Sequence, residues 1–177
     1  MERISKENYY LDIAETVLER ATCLRRIYGA IIVKNDEIIS TGYNGAPRGR
    51  ANCVDMGYCS REAMKVPRGE RYELCRSVHA EANAIISASR RDMAGGTIYL
   101  VGRNAATGEL LNDATSCLMC RRMIINAGLD RVVIRRTETE FEVVPVEAWI
   151  AEDDLLTPEC GHGPEMSRRS AERKSFR

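Results

Sequence analysis

"SVHAEANAI", residues 77–85, holds one of the chain's two histidines, His79, with Glu81 two positions further on. Ser77 has the side chain of a helix N-cap, and the alanines and isoleucines after it suit a helix through "VHAEANAIISAS". Taken alone, His-x-Glu there is a polar pair at the start of a helix. Its meaning changes with "SCLMCRRMIINAG", residues 116–128, where Cys117 and Cys120 form C-x-x-C at the start of a second predicted helix ending in glycine. That spacing puts both sulfurs near one helical turn, where one metal ion can take both. His79, Cys117 and Cys120 complete the three-ligand set of a catalytic zinc site, which keeps a fourth position for water. The positive end of a helix favours thiolate. Glu81 then reads as the carboxylate that takes a proton from that water. The rival reading of C-x-x-C is a redox pair, but such a pair follows a strand in a thioredoxin-like order and needs no upstream His-x-Glu.

Outward from these two helices the chain alternates. Ser5 to Ala21 carries an apolar stripe at Tyr10, Ile13, Ala14, Val17, Leu18 and Ala21, with Ser5 as N-cap. "YGAIIVKNDEIISTGYN" (28–44) predicts a β-hairpin about the turn "KNDE". The stretch 45–76 is rich in Gly, Pro, Arg and Cys and is long for a loop, which implies a functional segment or one held by something. "TIYLV" (97–101) predicts a strand, and "GRNAATGELLNDA" (102–114) a polar excursion turning at Thr107-Gly108. "DRVVIRR" and "FEVVPV" predict two more strands, and "VEAWIAEDDLL" a closing helix. The expected fold is α/β: a mixed sheet of about five strands, with a hairpin edge and a parallel portion, between layers of helices. Residues 1–157 read as one domain. Residues 158–177 read as a polar, basic, flexible tail.

A chain of 177 residues with 44% apolar residues can bury a core, and disorder throughout is excluded. Lys plus Arg and Asp plus Glu are 26 each, so zero net charge excludes a bulk electrostatic grip on nucleic acid. The apolar runs are strand-sized, and no secretory leader or membrane span is evident, so cytoplasmic placement is expected. Seven cysteines, an odd number, suit metal binding or catalysis in a reducing compartment better than a disulfide framework.

With His-x-Glu and C-x-x-C in this order, the sequence resembles the zinc-dependent cytidine deaminase superfamily. "STGYNGAPRG" (40–49), "CRSVHAEANAI" (75–85) and "INAG" (125–128) are similar to the deoxycytidylate (dCMP) deaminases. The resemblance runs from the first helix to about residue 155. It implies a three-layer cytidine-deaminase-like fold. The implied reaction is hydrolysis of dCMP to dUMP and ammonia by a zinc-activated water, feeding thymidylate synthesis, with Glu81 moving protons to N3 and to the leaving amine. It also implies a homo-oligomer, often a hexamer, activated by dCTP and inhibited by dTTP. Asn44 is the implied sugar contact, with Gly45, Ala80 and Ser116 also at the substrate. Arg26, Arg48 and Arg76, with Arg25, are implied as phosphate donors. Some relatives carry a second, structural zinc, for which Cys23, Cys53, Cys59 and Cys75 are the thiols here; small buried cysteines are the alternative. One departure is Ser116, where the family pattern has proline. Two other functions stay open: a related base or nucleoside deaminase, and a nucleotide-binding regulatory or competence-associated protein that keeps the fold without catalysis.

Overall fold

The computed structural model describes residues 3–67 and 69–152. The expected tail, 158–177, lies outside the described residues. The chain opens with helix α1 (Lys6–Leu18) and the hairpin β1 (Arg26–Lys34) and β2 (Glu37–Tyr43). Two single-turn helices, α2 (Cys53–Met56) and α3 (Ser60–Ala63), and a 3-10 turn at Tyr72–Leu74 break up the long loop. Then follow α4 (Ala80–Ile86), α5 (Arg90–Met93), β3 (Thr97–Asn104), α6 (Leu118–Ala127), β4 (Arg131–Arg135), β5 (Phe141–Pro145) and α7 (Val146–Glu152).

The five strands form one sheet in the order β2-β1-β3-β4-β5. Only β3 and β4 run parallel; every other pair is antiparallel. The parallel portion is therefore a single pair, linked by the crossover helix α6 that such a connection requires. The hairpin turns at Asn35 and Asp36, whose φ values of 52° and 64° are left-handed at both positions, as a two-residue loop between twisted strands needs. Past residue 101, β3 continues to Asn104 by pairing with β1, Ile27 opposite Arg103 and Arg26 opposite Asn104. The polar excursion folds back on it only through a single bridge from Leu110 to Arg103 across the Thr107-Gly108 turn.

Both faces of the central strands are covered. On one face Ile31, Val33, Tyr99, Val101 and Val133 pack under Tyr10, Leu11, Ala14 and Leu18 of α1. The alternate residues Ala30, Ile32, Ile98, Leu100, Val132 and Ile134 face α4, α5, α6 and α7 through Ala80, Ala84, Met93, Ile124 and Trp149. This period of two, apolar on both sides, makes three layers. α1 is tied down further by Arg135, only 2% exposed, which donates to Asp12 at 2.5 Å and to the carbonyl of Asn8 at 3.1 Å.

Two glycines set how close the helices lie. A Cβ on Gly29 would fall on the backbone of α1 at Ala14 and Leu18, and one on Gly42 on the backbone of α4 at Ala80 and Ala84. Helix backbone cannot yield as a side-chain tip can, so Gly42→Ala should push α4 off the sheet. The expected cost is about 2 kcal/mol in urea unfolding, with a parallel loss of bound zinc. A variant as stable as wild type would show that α4 tolerates the displacement.

Candidate metal centre and cavity

α4 and α6 sit on the same face of the sheet, and the residues at their starts meet. His79 is the N-cap of α4 (φ −70°, ψ 156°) and Cys117 that of α6 (φ −67°, ψ 163°). Ser77 does not cap α4: Val78 still pairs with Gly45 in an extended bridge, so the helix begins two residues later than its serine suggested. Neither side chain makes a capping hydrogen bond. His79 Nδ1 lies 3.4 Å from the sulfurs of both Cys117 and Cys120. The three ligand atoms lie within 4.8 Å of one another, and no other group of three or more does so among the described residues. Tetrahedral zinc with ordinary bond lengths needs N···S edges of about 3.6 Å, so this donor set and spacing fit the ion with little movement.

The acidities of the metal-free trio are split: one thiol is held as thiolate, while the imidazole and the other thiol hold their protons. A hydrogen bond from Cys120, then one with His79, hold the Cys117 thiol down to about 4, against burial. Hydrogen bonding to that thiolate and burial push the Cys120 thiol up. Burial alone would lower His79, but hydrogen bonds with Cys117 and Cys75 outweigh it and raise the ring to about 10. Glu81 is 4% exposed, and burial pushes its carboxyl up against the pull of His79. A carboxyl held that way takes up a proton readily.

One cavity is lined by His79, Ala80, Glu81 and Cys117, by Asn44 and Tyr28, and by Arg25, Arg26 and Arg61. Asn44 is buried, and its amide spans β1: Oδ1 accepts from the N–H of Tyr28 at 2.8 Å, and Nδ2 donates to the carbonyl of Arg26 at 2.9 Å. One amide hydrogen and one lone pair remain for a ligand. Arg26 pairs with Asp113 at 3.2 Å and Arg25 with Glu62 at 2.8 Å.

Four expected contacts are not brought there. Gly45 lies outside the lining, and its N–H is spent on the carbonyl of Val78, so it has none to offer a phosphate. Arg48 is exposed on a turn away from the cavity. Arg76 faces outward at a bend over Arg76 and Ser77: Cys75, Ser77 and His79 line the cavity, while Arg76 borders a neighbouring depression and donates to the carbonyl of Ala51 at 2.6 Å. Ser116 lies behind the wall that Thr115 and Cys117 form. In exchange come Arg61 and Tyr72, which the sequence reading missed. The Arg61 guanidinium lies 4.7 Å from the centre of the Tyr72 ring, whose edge meets His79 at 5.0 Å. Nothing in "SREAMKVPRGERYEL" marks them, because only the fold of the long loop brings them together.

Cys23, Cys59 and Cys75 line the same cavity. Cys53 is buried beside them, its thiol pushed up by burial and by the charges of Cys23, Cys59 and Cys75. All four are free thiols.

Three ligands with one thiolate preformed, a buried carboxyl beside them and a cavity in front define the architecture of a zinc-dependent hydrolase. Residues 4–136 match the family described as cytidine and deoxycytidylate deaminase zinc-binding region. The chain belongs to that family; β5 and α7 lie beyond the match. It is 34% identical over 131 residues to the deoxycytidylate deaminase of Schizosaccharomyces pombe, covering 74% of this chain but 37% of that protein. It is 36% identical over 138 residues to the deoxycytidylate deaminase of Mycobacterium phage D29, covering 75% of this chain and 96% of the phage protein. The crystal structure of the dCMP deaminase from the cyanophage S-TIM5 superposes with a TM-score of 0.51 at 26% identity, covering 73% of this chain and 81% of that one.

At pH 7 the metal-free protein should hold a protonated His79, a neutral Cys120 thiol and a Cys117 thiolate. Zinc entering the trio should therefore release two protons, from His79 and Cys120, and none from Cys117. Calorimetric titration in buffers of different ionisation enthalpy reads that count; three protons would show that Cys117 starts as a thiol.

Proposed function

We propose that this chain hydrolyses dCMP to dUMP and ammonia, consuming one water. The observation that supports it most is a single cavity carrying the His79–Cys117–Cys120 trio and buried Glu81 together with three arginines. Zinc bound by the trio supplies the polarisation that makes water nucleophilic near neutral pH. Glu81 accepts one proton of that water and passes it to the ring nitrogen N3, then takes the second from the new C4 hydroxyl and gives it to the amine, which leaves as ammonia. Asn44 offers its remaining amide hydrogen and lone pair to the sugar. Arg25, Arg26 and Arg61 receive the phosphate, whose charge competes with the exposed Glu62 and Asp113 for the first two. Preference for the monophosphate follows, because a nucleoside leaves those arginines without an anion.

Two further elements belong to this reading. By family resemblance Cys23, Cys53, Cys59 and Cys75 hold a structural zinc that orders residues 45–76, although these thiols are not gathered as closely as the trio in the structure. A homo-oligomer, a hexamer by family resemblance, with activation by dCTP and inhibition by dTTP, rests on resemblance alone.

Ammonia release from dCMP, CMP and deoxycytidine, with and without dCTP and dTTP, tests the substrate. Equal turnover of deoxycytidine would sink the role given to the arginines. Glu81→Gln should keep zinc and lose about a thousandfold or more in kcat. Retained activity would remove the proton shuttle. Cys53→Ala should lower zinc by one ion per chain and loosen the loop; unchanged metal content counts against the structural site.

A further inference from the structure

Residues 112–117 lead into α6 without regular structure, and two of them, Thr115 and Cys117, line the cavity. Their own side chains anchor them weakly. Asn112 and Thr115 are exposed, the Asp113–Arg26 pair is partly exposed, and the buried Ser116 hydroxyl has no hydrogen-bond partner. Two arginines hold their carbonyls instead. Arg136, just past β4, donates from Nη1 to the carbonyl of Asn112 at 2.8 Å and to that of Ala114 at 2.7 Å. Arg121 of α6 donates from Nε to the Ser116 carbonyl at 3.1 Å, and its Nη2 lies 3.5 Å from the Thr115 hydroxyl. Backbone groups that no ladder serves are thus satisfied by side chains.

Each arginine is oriented from a later element. Arg136 gives Nε–H and Nη2–H to one carboxylate oxygen of Glu142 on β5, the first at 2.9 Å. The Arg121 guanidinium lies 4.9 Å from the ring centre of Trp149 on α7, which is 7% exposed. A guanidinium over a buried indole face is attracted to it, so the long side chain loses its freedom there. Glu142 and Trp149 both lie beyond the residues that match the family. The Ser116 carbonyl shares one rigid peptide plane with the N and Cα of Cys117. Holding that oxygen therefore holds the plane from which the Cys117 side chain departs. The backbone N–H of Arg121 also donates to the Cys117 carbonyl, at 2.9 Å. One residue thus grips this member of the trio on both sides.

We propose that Arg121 is a positioning residue for the zinc ligand Cys117, and that Trp149, in a helix beyond the family match, orients it. Arg136 and Glu142 hold the approach to that ligand, and Arg121 holds the last peptide plane. Neither Arg121 nor Trp149 touches substrate. The inference rests on the metal centre and not on which substrate is hydrolysed.

The test uses the full chain loaded with cadmium-113 in place of zinc. Its NMR shift separates a site with two sulfurs from one with four, so the trio is read by itself. Arg121→Met should shift and broaden the trio's signal and lower its cadmium affinity about tenfold in competition with a chelator, the usual worth of a group that orients a ligand. Any four-sulfur signal should stay where it is. Arg121→Gln keeps a donor at the Nε position without the cation, and should recover part of the affinity. Trp149→Leu should move the trio's signal in the same direction. In an Arg121→Met background it should lower the trio's affinity no further, although Tm falls with each change. An unchanged trio signal and affinity in Arg121→Met overturns the idea, as does a fall of Tm alone, which would make Arg121 merely structural. Additive losses of affinity from Arg121→Met and Trp149→Leu would overturn the role given to the tryptophan. Should either variant fail to fold, the other decides by the same signal, an unchanged one overturning the idea.

Discussion

The site depends on backbone meeting backbone where α4 crosses β2. Gly42 has no side chain, and the backbone of Ala80 and Ala84 occupies the space one would need. Ser40, on the same face of β2, donates its hydroxyl to the carbonyl of Ala84 at 2.8 Å, and Asn83 donates to that of Tyr43 at 2.7 Å. The start of α4 is therefore fixed relative to the sheet by contacts that cannot stretch. His79 is the residue just before that start. Its position against Cys117 and Cys120 follows from the docking, since a shift of one ångström would spoil a tetrahedral donor set. The bridge between Gly45 and Val78 fixes the other side of His79, two residues upstream of the helix.

The opposite face of the sheet is built differently, and the difference suits its task. α1 covers it with large side chains and with an ionic network in which Arg135 and Arg103 reach Asp12, Glu15 and Glu138. Arg135 is almost wholly buried, so breaking its pairing would strand a charge; the network holds one geometry firmly. No polar group of that face enters the cavity lining. The chemistry is thus carried on one face only, while both faces contribute to the core. The catalytic face can then tolerate an unpartnered hydroxyl, a buried carboxyl and closely spaced thiols, each of which costs stability where it stands.

The sequence made some of this legible and hid the rest for physical reasons. The hairpin, the helix of Cys117 and its glycine end were readable because their signals are local: alternation, a two-residue turn, and Gly128 at φ 76°. The trio was readable because metal ligands come in few combinations and spacings. The start of α4 was misplaced because a tertiary bridge to Gly45 overrode Ser77 as a cap. Gly45 and Arg76 were assigned from motif neighbours, but Gly45 spends its N–H on Val78, and a bend at Arg76 and Ser77 leaves Arg76 on the outer side. Arg61 and Tyr72 gave no signal, since their pairing spans a loop whose path no local rule fixes. For Ser116 the departure from proline was visible. That its hydroxyl is buried behind the wall and lacks a partner was not.

The cavity sorts its charges, and this sorting orients whatever enters. Arg25, Arg26 and Arg61 contribute positive charge; Glu81 and the Cys117 thiolate contribute negative charge. Two thiolates with a neutral imidazole and a divalent ion would bring the trio itself to zero net charge, so a cation there removes the repulsion that the bare thiolates would impose on an anionic ligand. A nucleotide is asymmetric in the same sense, with its phosphate at one end and a neutral base at the other. Reversed, it would bring phosphate toward Glu81 and leave the arginines facing an uncharged ring, losing attraction at one end and gaining repulsion at the other. On the proposed reading, orientation is set twice, by the charges it satisfies and by the repulsion that its reverse creates, before any contact to the base itself is made.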